Sequence, residues 1–287
     1  MKNYKIDSVL FPTDFSHLNL SALRAAVAIC KRQNAKLTLI HVIDEMSLIQ
    51  SHKSTTSIEE YKIVYIEKCH NDLLLLVKEV LPVHSIEIMT LVEKGNPADV
   101  ISDVALKFKY NLIVMGTHGN SGFRDNLGST AFNVVKSAPC PVITIRGDWD
   151  KQYFKKILYP IRIEQRVFEK YNYIEPIIEK NNSELIIVGL ADKNEPDKIE
   201  ETKFSIDLLR NMCQEEKIRY STLIMPTSSF DSAVIDTINK SDADLIVISS
   251  HLDYDSKENY LGPFAENIVN KSVCPVLCIS PLIHKQN

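Results

Sequence analysis

The sequence predicts two tandem α/β domains, each built around a doubly wound parallel sheet. The chain has 287 residues, which is more than a single domain usually contains. Its second half repeats sequence patterns of the first half in the same order, and strand-like and helix-like segments alternate along both halves. We place the boundary near residues 147–151, which predicts domains at 1–148 and 152–287.

Four pairs of matching segments indicate the internal repeat. The matched pairs are 8–14 with 156–162, 36–44 with 184–192, 111–119 with 244–252, and 140–145 with 274–279. The third pair reads NLIVMGTHG and DLIVISSHL, and the fourth reads CPVITI and CPVLCI. Four matches in the same order indicate a duplication of one supersecondary unit rather than a chance similarity.

Apolar periodicity defines the elements of the first half. Leu18, Ala22 and Ile29 recur at helical spacing, whereas 111–115 is apolar throughout, which is typical of a strand covered on both faces. The predicted strands are 6–12, 36–42, 84–92, 111–115 and 141–146, and the predicted helices are 17–33, 58–80, 97–109 and 129–137, with a loop at 116–127. The second half lacks much of the 44–60 segment, so we expect a shorter connection after its second strand.

Composition narrows the class of protein. The net charge is −4, and such a mildly acidic balance argues against binding to nucleic acid or to an anionic membrane. No signal-peptide pattern and no apolar run of about 20 residues is present, so a cytoplasmic location is expected. The six cysteines are scattered without a CxxC pair, which argues against a disulfide scaffold or a structural zinc site.

Ligands of open parallel sheets bind beyond the carboxyl ends of the strands, so the residues there are the first candidates. Pro12, Thr13 and Asp14 follow the first predicted strand. Asp14 is a candidate ligand of a ribose or a base, but Asp14 or Ser16 equally fits the cap of the next helix. After the second strand, a backbone group around Val42 is a candidate contact for the edge of a base.

A glycine-rich loop follows the fourth predicted strand. Four of the protein's eight glycines fall within 116–130, where exposed N–H groups favour an anion. The helix that begins after Gly128 adds its N-terminus and the hydroxyls of Ser129 and Thr130, which favours a phosphate. The alternative is an ordinary loop capped by Ser129. The loop is neither a Walker A motif nor a GxGxxG fingerprint.

Gly116-x2-Gly119, Gly128-Ser129 and the Cys-Pro-Val strand together resemble the universal stress protein family over essentially the whole chain. This resemblance implies a Rossmann-like fold of the adenine nucleotide α hydrolase type, and ATP or AMP as ligand, with or without Mg²⁺. The implied binding residues are Pro12, Thr13, Asp14, Val42, Gly116, Gly119, Gly128, Ser129 and Thr130. Asp14 would contact the nucleoside, the Val42 backbone the adenine, and the later glycines and Ser129 the phosphates.

The sequence departs from the family pattern in both halves. Eight residues rather than nine separate Gly119 from Gly128, which puts Gly119 in more question than Gly128. In the second half Arg162 stands where Asp14 stands in the first. Ser249 and Leu252 replace the loop glycines, and Pro263, which has no N–H, replaces Ser129. We therefore predict no ATP in the second half, although another ligand near Arg162 and His251 is left open.

Two functions follow from these observations. The first is a regulatory stress-response protein that binds an adenine nucleotide in its first domain, and the alternative is an interaction module that needs no nucleotide. No nucleophile elbow is present, and Asp14 and Asp125 are the only nearby carboxylates, so at most slow ATP hydrolysis is expected. The resemblance also implies that Val142–Ile145 and Val276–Ile279 pair within the chain as a pseudo-dimer. A homodimer and a protein partner of unknown identity are left open by the sequence.

Overall fold

The computed structural model describes residues 4–51, 57–80, 86–117, 128–162, 168–249 and 262–280. They divide into two compact units. The first unit is residues 6–148, and the second unit runs from residue 149 onward together with the segment up to Lys5. Within the described residues, no helix combines the length and the apolar character needed to span a bilayer.

The first unit is a parallel sheet with helices between its strands. Its elements are β1 (Ser8–Pro12), α1 (Leu20–Gln33), β2 (Lys36–Ile43), α2 (Glu45–Ser51), α3 (Ile58–Val80), β3 (Ile88–Lys94), α4 (Pro97–Lys107), β4 (Leu112–Gly116), α5 (Ser129–Ser137) and β5 (Val142–Ile145). The strand order is β3-β2-β1-β4-β5. Neighbouring strands within this unit run parallel.

The second unit repeats this arrangement. Its elements are β6 (Lys156–Ile161), α6 (Glu169–Asn181), β7 (Glu184–Asp192), α7 (Pro196–Glu215), β8 (Arg219–Thr227), α8 (Phe230–Ser241), β9 (Leu245–Ser249), α9 (Pro263–Lys271) and β10 (Val276–Ile279). The strand order is β10-β9-β6-β7-β8, with parallel pairs. Since β6 to β10 occupy the places of β1 to β5, the predicted class of two tandem doubly wound α/β units is confirmed.

Element boundaries differ from the predictions in several places, and β3 (Ile88–Lys94) begins and ends later than the predicted strand 84–92. The predicted helix 17–33 begins with a 3-10 turn over His17–Asn19, and α1 itself starts at Leu20. The short helix α2 was not predicted, because seven residues are too few to show an apolar helical periodicity. Its start is stabilised by the Asp44 carboxylate, which accepts from the Met46 N–H at 3.1 Å and the Ser47 hydroxyl at 2.7 Å. The shorter connection of the second unit is confirmed, since α7 starts at Pro196, directly after β7.

The central strands form the core of each unit. Val9, Leu10 and Phe11 of β1 are fully buried, as are Ile246 and Val247 of β9, because helices cover both faces of the sheet. All six cysteines are buried free thiols. Burial raises the pKa of Cys140 to about 12, so this thiol stays protonated and unreactive at neutral pH.

Strand order fixes where the first unit presents a crevice. From β1 the chain builds β2 and β3 towards one edge of the sheet, and then crosses back to place β4 and β5 on the other side. The carboxyl ends of β1 and β4 therefore lie side by side at the point where the winding reverses, which is where open α/β sheets bind ligands. The register pairs Val9 with Leu112 and Leu10 with Ile113.

Candidate functional site

The turn after β1 fixes the Asp14 carboxylate. Thr13 is buried, and its N–H donates to the Ile40 carbonyl at 2.9 Å. This bond extends the hydrogen bonding between the chain and β2 by one residue beyond the end of β1. Asp14 is half-buried, and its Oδ1 accepts from the Ser16 N–H at 3.0 Å and from the Asn19 side-chain amide. Of the two caps considered, Ser16 precedes the 3-10 turn but makes no capping bond through its side chain. Asp14 is an acceptor within the turn.

Phe15 turns the chain away from the sheet. Its φ is +63°, a left-handed conformation that is uncommon for a bulky residue. Its N–H donates to the Thr13 hydroxyl at 3.1 Å, which satisfies this donor inside the turn. The positive φ and this bond together end β1 and direct the chain towards α1.

His41 of β2 supports the same turn from the sheet. Its Nδ1 lies 2.8 Å from the Thr13 carbonyl oxygen, and its ring centroid lies 4.4 Å from that of Phe15. Burial lowers the pKa of His41, and this outweighs the opposing effects of the Thr13 carbonyl and of the Asp14 and Asp72 charges. Because a carbonyl only accepts, Nδ1 carries the proton of the neutral ring. Sequence reasoning found no role for His41, since only the strand register brings it to Thr13.

Val42 directs its backbone past the end of β1. In a parallel strand, alternate residues bond to opposite neighbours. The Ile40 carbonyl accepts from Thr13 on the β1 side, and the Ile43 carbonyl accepts from Gly95 on the β3 side at 3.0 Å. Val42 lies two residues after Ile40, so its N–H and C=O face the β1 side, where the strand has already ended at Pro12.

The far side of the crevice is formed by the end of β4 and the start of α5. Gly116 and Thr117 are buried, and the Thr117 N–H donates to the Ile145 carbonyl at 3.0 Å. The Thr117 carbonyl accepts from the Gly128 N–H at 2.8 Å, so the chain returns to the end of β4 where the helix begins. A Cβ on Gly128 would lie 3.2 Å from this carbonyl oxygen, which explains a glycine here.

The N-terminus of α5 presents free donors. Its N-cap is Gly128, which has no side chain to cap the helix, so the alternative of a cap at Ser129 is wrong. Ser129 is exposed and Thr130 is half-exposed, and the first turn carries no acidic residue. The first N–H groups of a helix lack intrahelical partners, and the dipole adds partial positive charge, so this end favours an anion.

Most of the predicted site residues therefore lie at one edge of the first unit's sheet. The carboxyl edge carries Pro12, Thr13, Asp14, Val42, Gly116, Gly128, Ser129 and Thr130. Gly119, together with His118 and Asp125, lies outside the described residues. No group of three or more His, Cys, Asp or Glu side chains suited to a metal ion is found in the described part of the chain.

The same edge of the second unit carries cations. The Arg162 guanidinium lies 4.3 Å from the Phe230 ring centroid at the start of α8. The Lys170 side chain is 4% exposed, and its ammonium donates to the Pro160 carbonyl at 2.9 Å, at the end of β6. Leu252 and His251 lie outside the described residues.

Comparison with known proteins agrees with this architecture. The universal stress protein family model matches residues 5–146. A universal stress protein from Methanocaldococcus jannaschii is 33% identical over 141 residues, which cover 48% of this chain and 81% of that protein. The chain belongs to the universal stress protein family. A Staphylococcus aureus protein assigned to the same family is 33% identical over 154 residues, covering 52% of this chain and 87% of its own.

The family fold extends over both units. The crystal structure of a universal stress protein from Archaeoglobus fulgidus matches with a TM-score of 0.76 and 17% identity, covering 96% of this chain and 97% of the other. At 17% sequence identity this match supports the fold and gives no information about the ligand. This universal stress protein is therefore a two-unit member of the family, and its residues at the carboxyl edges must carry any argument about ligands.

Proposed function

We propose that the first unit of this universal stress protein binds an adenine nucleotide, ATP or AMP, in the crevice between the carboxyl ends of β1 and β4. The observation that carries the proposal is the convergence of three features on this crevice. They are the outward-facing Val42 backbone, the fixed Asp14 carboxylate, and the uncapped N-terminus of α5 behind Gly128.

The Val42 backbone suits adenine better than guanine. Its C=O accepts a hydrogen bond and its N–H donates one, on the same side of the strand. Adenine offers the complementary pair, because its 6-amino group donates and its N1 accepts. Guanine offers an acceptor at O6 and a donor at N1, which would oppose like groups and leave them unpaired at a cost of roughly 1–3 kcal/mol each.

Ribose and phosphates fit the remaining two features. A carboxylate such as Asp14 accepts from ribose hydroxyls, and the Ser16 and Asn19 donors hold it in one orientation. The free N–H groups of Ser129 and Thr130 suit phosphate oxygens. A Mg²⁺ ion, when bound, would neutralise phosphate charge and would be held mainly by phosphate oxygens and water.

The proposed role is regulatory rather than catalytic. Occupancy of the first unit would change the affinity for a protein partner or a second copy of the chain in the cytoplasm during stress. Asp14 is engaged by its own turn, which disfavours it as a catalytic base, so we infer at most slow hydrolysis. The second unit would bind no ATP, because Arg162 replaces the acidic ligand Asp14 and Pro263 removes an N–H from the start of α9.

Denaturation followed by chromatography, combined with thermal-shift titration, tests this proposal. The purified protein should release adenine nucleotide on denaturation, and ATP and AMP should raise Tm in a concentration-dependent way. Ligand at 100 times Kd stabilises by about 2.7 kcal/mol. GTP at the same concentration should give a much smaller shift. Neither released nucleotide nor a shift at millimolar ATP would contradict the proposal and favour the nucleotide-independent interaction module.

A further inference from the structure

The β1–β2 ladder stops one step before a regular parallel ladder would. The last bond is from the Thr13 N–H to the Ile40 carbonyl. In a regular ladder the next two bonds would run from the Val42 N–H to the Thr13 carbonyl, and from the Phe15 N–H to the Val42 carbonyl. Both would close the backbone edge of Val42.

Two side chains take the partners that Val42 would otherwise use. The Thr13 carbonyl accepts from His41 Nδ1 at 2.8 Å. The Phe15 N–H donates to the Thr13 hydroxyl at 3.1 Å, and its φ of +63° carries it away from β2. Thr13 and His41 are 7% and 8% exposed, so water competes little for these bonds.

The second unit shows the ladder without these side chains. The register places Ile161 and Gly189 at the positions equivalent to Thr13 and His41, so the unit has neither the hydroxyl nor the imidazole. There the β6–β7 ladder continues one residue further, with Ile161 paired with Gly189. The longer ladder accompanies the absence of both polar side chains.

We propose that His41 and the Thr13 hydroxyl are positioning residues that hold the strand edge open, so that the Val42 backbone can read the base. This inference rests on the proposed function. His41 need not touch the nucleotide, because it acts by occupying a backbone carbonyl. Loss of either side chain is therefore expected to change the ratio of ATP to GTP affinity, and not only the affinity for ATP.

Hydrogen exchange measured by NMR on the ligand-free protein tests the open edge without any nucleotide. The Val42 amide should exchange at least tenfold faster than the Ile40 amide, which lies within the ladder. In His41→Leu the freed Thr13 carbonyl should accept from the Val42 N–H, so the Val42 amide should slow about tenfold. In Thr13→Val the freed Phe15 N–H can reach only the Val42 carbonyl while His41 still holds the Thr13 carbonyl, so the Val42 amide should stay fast. His41→Asn, whose Nδ2 can reach the same carbonyl, and Thr13→Ser, which keeps the hydroxyl, should exchange like the wild type.

Binding by the same variants tests the consequence. His41→Leu and Thr13→Val should reduce the ratio of ATP to GTP affinity about tenfold, the effect of one or two lost hydrogen bonds. His41→Asn and Thr13→Ser should restore it. A wild-type Val42 amide as protected as Ile40, unchanged exchange in His41→Leu, or unchanged discrimination in both His41→Leu and Thr13→Val would overturn the inference. A wild-type protein that binds no nucleotide would overturn the proposed function, whereas the exchange rates would still decide whether these side chains hold the edge open.

Discussion

The two units share one strand order and differ at their carboxyl edges. In the first unit the edge carries Asp14, an interrupted ladder, and an α5 whose first residue Ser129 keeps its N–H, where α9 begins with Pro263. In the second it carries Arg162 against Phe230, a longer ladder, and a buried Lys170 on the carbonyl at the end of β6. The buried apolar strands are common to both, so the fold tolerates both edges. The proposed ligand binding depends on a few residues that contribute little to the core, so a duplicated domain can keep its fold while its ligand changes.

Among the changes that test this difference between the two units, we expect Gly128→Val to have the largest effect on ATP affinity. The new Cβ would lie 3.2 Å from the Thr117 carbonyl oxygen, and the branched side chain would crowd the N–H groups at the start of α5. We expect the affinity for ATP to fall at least 100-fold, about 2.7 kcal/mol, and the affinity for adenosine to fall much less. Calorimetric titration measures both. Gly262→Val, the matched change at the start of α9, should leave ATP binding intact, and ATP binding retained in Gly128→Val would place the phosphate site elsewhere.

A stability difference is expected at the position equivalent to His41. A Cβ at Gly189 would lie 2.6 Å from Thr202 Cγ2 and 2.7 Å from Ile206 Cδ1, because α7 packs closely on β7. Gly189→Ala should therefore lower the free energy of unfolding by about 1–3 kcal/mol through overpacking. Urea denaturation measures this, and adding Ile206→Val should recover part of the loss by removing one of the two contacts. A neutral Gly189→Ala would show that the helix accommodates the methyl group.

Asp14 and Arg162 form the next matched pair. Asp14→Ala should weaken ATP binding about tenfold, because a charged hydrogen-bond acceptor for the ribose is lost. Asp14→Asn keeps an acceptor for the Ser16 N–H and should lose less. Arg162→Ala should leave ATP affinity unchanged. Equal losses in Asp14→Ala and Arg162→Ala would contradict the assignment of the site to the first unit.

The smallest effect is a pH dependence carried by His41. Its pKa is lowered in the native state, so the unfolded chain binds the proton more readily. The contribution of neutral His41 to the free energy of unfolding is fully present above the pKa of the unfolded chain, about 6.5. It declines as the pH falls from there through the native pKa of His41. Denaturation from pH 8 to pH 5 should show a steeper loss for the wild type than for His41→Asn, which cannot titrate. Identical slopes would mean that His41 takes up its proton equally in both states.

The sequence predicted the fold well because local patterns carried it. The apolar runs at 111–115 and 245–248 become β4 and most of β9, and the helix predicted at 58–80 is α3 with the same bounds. Two tandem α/β units followed from the repeat alone. The 3-10 start before α1 and the short α2 were missed, since both depend on local hydrogen bonds to the Asp14 and Asp44 carboxylates rather than on periodicity.

The candidate site was predicted in part. Asp14 stands out because it follows a buried strand at its carboxyl end, and Gly128 because it directly precedes a predicted helix. The roles of His41 and of the Thr13 hydroxyl could not be predicted, because their contacts depend on the strand register that brings residues 13 and 41 side by side. Nothing in the local sequence reports that Phe15 adopts a positive φ.

The bond from the Gly128 N–H to the Thr117 carbonyl has a consequence for evolution and engineering. It ties the start of α5 to the end of β4 directly, without depending on residues 118–127 between them. The helix position is thereby insulated from insertions and deletions in that segment. A spacing one residue shorter than the family pattern is therefore expected to leave the start of α5 in place, so that any effect of the missing residue is confined to the side of the site that contains Gly119.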